Sequence, residues 1–84
     1  MTYRYLALSV DGVQMNPATL TALRILAGYS QAELARRSGV SQGHISELER
    51  GDKKASPKTV KKLAEGLNVP MAALFGPAAG EVAS

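Results

Sequence analysis

The stretch from Ser30 to Gly51, SQAELARRSGVSQGHISELERG, carries two short helices and the turn between them. Ser30 followed three residues later by Glu33 is a capping box, in which the serine oxygen and the glutamate carboxylate satisfy each other's orphan amides. Gly39 closes that helix at Ser38 and supplies a left-handed turn conformation that residues with a Cβ adopt at a cost. Ser41 caps the next segment, QGHISELER, which stops at Gly51 after about two and a half turns. Leu34 and Ala35 before the turn, Val40 within it, and Ile45 and Leu48 after it have the spacing of inward residues at a crossing of two helices. Ala35 is small enough to let the two backbones approach. Such a pair, with a polar second member, has the form of a helix-turn-helix.

The flanks extend the helical pattern. Asn16-Pro17 is an N-cap with proline at the first helical position, and Gly28 follows the last good helix residue, so PATLTALRILA reads as one helix. A helical wheel puts Leu20, Leu23 and Ala27 on one side of it and Ala18, Ala22 and Ile25 on nearly the opposite side. A helix apolar on two sides is normally covered on both, so either the chain before it or a partner subunit packs on the second face. Ser56-Pro57 repeats the cap-plus-proline signal and opens KTVKKLAEGL, with Val60, Leu63, Ala64 and Leu67 at helical spacing. Pro70 opens a last short turn, MAALF. Residues 1–15 form an N-terminal arm, in which YRYLALSV and the Asp11-Gly12 pair suggest a short β-hairpin. Residues 16–75 form the helical body, and 76–84 a loose tail rich in Gly, Pro and Ala.

Composition bounds the function. At 84 residues there is room for one core, since chains of this size bury only about 60% of their unfolded surface. There is no cysteine, and His44 is the single histidine, so thiol chemistry and a Cys/His metal site lack ligands and no cofactor is expected. The acidic residues are scattered rather than paired, which leaves an enzyme without a nucleophile and base. No apolar run approaches the roughly 20 residues of a membrane span, and the N-terminus lacks the pattern of a signal peptide. The expected location is the cytoplasm, at the nucleoid. The net charge of +3 is unevenly placed: Arg36 to Lys62 holds eight basic and three acidic residues, a local +5. That block fits a polyanionic partner.

With these residues in view, the chain resembles the phage repressor and Cro class of helix-turn-helix domains. The resemblance rests on the ordered set Gln31, Ala35, Gly39, Ile45, Glu49, Gly51 and Pro57, and extends to Leu23-Arg24 upstream and NVPMAALF downstream, covering about residues 17–75. It implies an all-α, five-helix domain and a transcriptional regulator that binds double-stranded DNA. Repression by occupying an operator is the economical mechanism. One short recognition helix covers little DNA, so a homodimer on pseudo-palindromic half-sites about one helical turn apart is expected.

Gln42 lies at the end of the recognition helix that enters the major groove, and glutamine can bond adenine N6 and N7 together. The outer side of that helix also carries Gly43, Ser46, Glu47 and Arg50, and the resemblance assigns base contacts to the positions of Gln42, Gly43 and Glu47. Gly43 offers no side chain but permits close approach to the duplex. Glu47 has three readings: accepting from cytosine N4, holding Arg50 at i, i+3, or plain exposure. His44 is either a packing residue or a phosphate contact. Further phosphate candidates are Gln31, whose family equivalent grips the backbone, with Ser41, Arg50, Lys53, Lys54 and Lys58. Arg36 and Arg37 are weaker candidates that suit the negative end of their own helix. Glu49 lies near the inward face and needs a partner. Arg24 supplies it, as the family's Arg–Glu pair at these positions implies. The dimer surface is expected either at Leu74-Phe75 and the end of the fourth helix, as the resemblance implies, or at the arm, through Tyr3, Tyr5 and Leu6, by strand addition. The alternative function is a protein-interaction module, such as an antitoxin or a polymerase-contacting factor, with DNA binding secondary.

Overall fold

The computed structural model describes residues 14–76. Four α-helices, α1 (Pro17–Leu26), α2 (Gln31–Ser38), α3 (Gln42–Arg50) and α4 (Pro57–Leu67), are followed by a 3-10 helix at Met71–Phe75. The described residues are all-helical, with four α-helices where five helices were expected and a short 3-10 helix in the place of the fifth. No strand occurs among the described residues. The candidate hairpin, with Tyr3, Tyr5, Leu6 and Asp11-Gly12, lies outside them, as does the tail from residue 77.

Each helix starts where its cap stands. The Asn16 side chain accepts from the amides of Ala18 and Thr19. Ser30, Ser41 and Ser56 accept from the third residue after each, Glu33, His44 and Thr59. Helix α1 ends one residue before the expected Ala27, which is its C-cap. At Gly39 the backbone turns left-handed, with φ of 80° and open space around the position, so the requirement for glycine there is conformational. Helix α4 ends without a glycine: Asn68 takes the left-handed C-cap, with φ of 60°, a role asparagine tolerates better than most residues.

The capping box at Ser30 is half formed. Its serine half is present, Ser30 Oγ accepting from the Glu33 amide at 3.0 Å. The Glu33 carboxylate instead turns along the helix to Arg36 and Arg37, the latter at 2.7 Å. Two cations within one turn draw the carboxylate away from a single amide. They also hold it below the ordinary carboxylate range, chiefly through the hydrogen bond from Arg36.

The core draws on every element: Leu20 of α1, Leu34 of α2, Ile45 and Leu48 of α3, Leu63 of α4 and Leu74 of the last turn are all fully buried, with Val60 and Ala64 nearly so. Helix α4 packs hardest against α2. A Cβ built on Gly66 would lie 2.8 Å from Ser38 Cβ and 3.0 Å from its Cα and N, so the absence of a side chain at 66 sets the approach of these helices.

Leu74 is therefore a core residue. Its expected place at a dimer surface is corrected by its complete burial, and Phe75 is half-buried against the same core. The last turn is latched to the start of α1. The Asn16 amide donates to Leu74 O at 2.9 Å, and Thr19 Oγ1 and Asn16 Nδ2 donate to Gly76 O at 2.6 and 3.2 Å. Met15, just before α1, is buried as well.

The two apolar sides of α1 differ in fate. Leu20 and Leu23 face the core, while Ala27, expected on the same side, is exposed. On the other side Ala18 is exposed, Ala22 half-buried, and Ile25 and its neighbour Leu26 are 59% and 72% exposed.

Candidate nucleic-acid interface

Helices α2 and α3 cross through the expected residues. Leu34, Val40, Ile45 and Leu48 are buried and Ala35 packs partly against them. This seats α3 from behind and leaves its opposite side open. Gln42, Gly43 and Arg50 are exposed, and Ser46 and Glu47 are half-buried beside them, so all four base-reading candidates share one outward face with Arg50. Exposed Ser41 stands at its N-terminal edge, its Oγ accepting from the His44 amide at 3.2 Å. Lys53 and Lys54 follow in the exposed loop, and exposed Lys58 lies in the first turn of α4.

Glu47 meets His44 rather than Arg50. The His44 Nδ1 to Glu47 Oε1 distance is 3.4 Å, a long contact between two half-exposed side chains, which contributes little in water. Arg50 instead donates from Nε to Asp52 Oδ2 at 2.8 Å and from Nη1 to Ser46 Oγ at 2.6 Å. The Ser46 contact follows the i, i+4 rule and was available to pattern reasoning. Asp52 was not, because it reaches Arg50 around the turn at Gly51.

Behind the face lies the expected ion pair. Arg24 donates from Nε to Glu49 Oε2 at 2.7 Å and from Nη2 to Oε1 at 3.0 Å, the fork geometry that makes arginine–carboxylate pairs strong. Arg24 also donates to Tyr29 O at 2.8 Å, tying α1, the following loop and α3 together. Burial pushes the Glu49 carboxyl up, but hydrogen bonds from Arg24 and Gln31 and the Arg24 charge outweigh it and hold the group below its ordinary 4.5.

Gln31 is part of this cluster, its Nε2 donating to Glu49 Oε1 at 3.1 Å. One hydrogen of its side-chain amide is thereby committed to Glu49. No buried side-chain nitrogen or oxygen among the described residues lacks a partner. Arg36 and Arg37 are engaged by Glu33, and Arg37 also lies 4.5 Å from the centre of the Tyr29 ring, a cation–π distance. Among the described residues no helix is long and apolar enough to cross a membrane.

A short capped helix seated on a second helix, with its polar side outward beside a lysine-bearing loop, defines the helix-turn-helix class of protein. The comparisons agree. The family described as "Helix-turn-helix" matches residues 20–74, and the chain belongs to that family, in its phage repressor and Cro-like branch. It is 37% identical over 59 residues to the HTH-type transcriptional regulator SutR of Escherichia coli K12, matching 70% of this chain and 33% of SutR. It is 43% identical over 53 residues to an uncharacterized HTH-type transcriptional regulator of Mycobacterium tuberculosis, matching 63% of this chain and 21% of that protein. The chain thus spans about a third or less of the curated relatives it matches.

Among solved structures it is similar to the restriction-modification controller protein C.AhdI of Aeromonas hydrophila, with a TM-score of 0.69 and 34% identity over 70% of this chain and 89% of that one. It is also similar to the clp gene regulator ClgR of C. glutamicum, with a TM-score of 0.65 and 36% identity over 69% of this chain and 75% of that one. The two curated relatives are thus named as transcriptional regulators, and the two solved structures as a controller protein and a gene regulator.

Proposed function

We propose that this chain binds double-stranded DNA in a sequence-specific manner and represses transcription by occupying an operator as a homodimer. The observation that carries the reading is α3: fully buried Ile45 and Leu48 on one side, and Gln42, Gly43, Ser46 and Glu47 along the other. A helix braced in this way presents a rigid polar edge of the width a major groove admits. In this reading Gln42 bonds adenine, Gly43 lets the backbone approach, and Ser46 and Glu47 complete the base-reading edge. Ser41, His44, Arg50, Lys53, Lys54, Lys58 and the remaining donors of Gln31 take phosphates, which set register without reading sequence. The names of the relatives, transcriptional regulators, a gene regulator and a controller protein, support a regulatory role. Arg24 and Glu49 are structural.

Dimerisation follows from the small surface of one recognition helix. With Leu74 in the core, the candidate surfaces are Phe75 and the N-terminal arm with Tyr3, Tyr5 and Leu6. Exposed Ile25 and Leu26 favour a second reading in which a protein partner docks on α1 and DNA binding is secondary.

Selection of bound duplexes from a random pool, followed by a gel-shift titration against salt, tests the proposal. A groove-binding regulator enriches a defined, near-palindromic sequence and loses affinity linearly in log salt with a slope of about 0.9 per phosphate neutralised. No enrichment and a flat salt response would overturn it in favour of the protein-binding module.

A further inference from the structure

The loop that follows α3 places an acidic residue on the face assigned to a polyanion. Asp52 is 56% exposed beside Arg50, itself 58% exposed, and simple charge bookkeeping makes it a liability there. The geometry gives it a use. After the left-handed turn at Gly51, the Asp52 amide donates back to Glu47 O at 2.9 Å. Its carboxylate thereby stands where it accepts from Arg50 Nε at 2.8 Å, while Arg50 Nη1 reaches Ser46 Oγ at 2.6 Å. Two anchors, one from each side, lay the guanidinium along the outer surface of α3 toward its N-terminal end, the direction in which helical side chains lean. Among the described residues Nη2 donates to no group, Nε and Nη1 being the two nitrogens engaged.

We infer that Asp52, with Ser46, is a positioning residue that holds the Arg50 guanidinium ready for a DNA phosphate. The inference rests on the DNA-binding reading above and deepens it. A free arginine loses rotamer freedom when it binds, at a cost that preorganisation removes in advance. An isolated exposed ion pair contributes little to stability, so the effect of this one belongs to binding rather than to folding.

The test sets two signs against each other. Removing a negative charge from a DNA-facing surface strengthens binding if Asp52 acts only by its charge, and weakens it if Asp52 acts through Arg50. The unchanged 84-residue chain and Asp52→Asn are titrated with a duplex enriched from the random pool, alongside Arg50→Ala and the double variant. The expected result is about 3- to 10-fold weaker binding by Asp52→Asn at an unchanged melting temperature, with Asp52→Glu recovering part of the loss. In the Arg50→Ala background, Asp52→Asn should cost nothing or improve affinity. Asp52→Asn binding as tightly as the unchanged chain, or more tightly, overturns the positioning role and leaves DNA binding standing. An unchanged chain with no salt-dependent affinity for any duplex overturns the DNA-binding reading and this inference with it.

Discussion

Replacing Glu49 with alanine removes the centre of the cluster that joins α1, α2 and α3. Three hydrogen bonds end on that carboxylate, two from Arg24 at 2.7 and 3.0 Å and one from Gln31 at 3.1 Å. The Arg24 and Glu49 side chains are only 14% and 7% exposed. After the substitution Arg24 keeps its bond to Tyr29 O but has no counter-charge. Breaking a fully buried pair by deleting one partner costs about 3 to 5 kcal/mol, and the residual exposure of Arg24 lets water recover part of that. A loss of about 2 to 4 kcal/mol is expected, a large share of the stability of a small domain. At about 4 to 8 °C per kcal/mol for a domain of this size, the melting temperature should fall by roughly 8 to 32 °C.

Thermal unfolding followed by circular dichroism measures it. A double variant, Arg24→Leu with Glu49→Leu, supplies the control: replacing both charges with apolar groups should recover most of the loss. A pH series adds a second check. The folded Glu49 value lies below the unfolded value near 4.5, so the stabilisation is complete above 4.5 and is lost as pH falls from there through the lowered folded value. Glu49→Ala should lack this part of the acid-side decline. If Glu49→Ala melts at the temperature of the unchanged chain, the cluster is not what joins these helices.

Gly66→Ala should destabilise by about 1 to 3 kcal/mol in urea unfolding, despite alanine's better helix propensity, because the new methyl meets the Ser38 backbone. Gln42→Ala should weaken binding to the selected duplex by about 1 to 3 kcal/mol and relax preference at one base position, seen when selection is repeated with the variant. Neutralising Lys53 and Lys54 together should lower the salt slope by about two units and weaken different duplexes alike; an unchanged slope would remove both from the phosphate set. Sedimentation of a chain lacking residues 1–14 separates the two dimer surfaces, a persistent dimer excluding the arm.

The fold was largely legible because its signals are local. Each of the four caps acts on amides two or three residues away, and Gly39 and Gly51 close their helices where a left-handed residue is needed. Val60, Leu63 and Leu67 repeat at a spacing that faces one side whatever lies opposite. The outer face of α3 was legible for the same reason, as the complement of Ile45 and Leu48 on one short wheel. Arg24 with Glu49 was legible only with the family resemblance beside it, since 25 residues of sequence separate them.

The residues misplaced by sequence reasoning are those whose partners are chosen among several groups of similar reach. Glu33 had an amide and two guanidinium groups within range and took the charges. Arg50 had Glu47 at helical spacing and Asp52 across a turn, and the turn brought Asp52 closer. Leu74 reads equally well as a surface anchor or as a plug. The backbone tether from Asn16 made it a plug.

The sequence by itself therefore determined where the helices begin and end, which side of each is apolar, and that the α2–α3 pair forms a helix-turn-helix, because caps, turns and periodicity operate over a few residues. Tertiary structure decided which polar groups pair across helices, that α4 closes on α2 at Gly66, and that Leu74 lies inside while Ile25 and Leu26 lie outside. Those outcomes depend on distances between segments far apart in the chain, and only packing sets such distances.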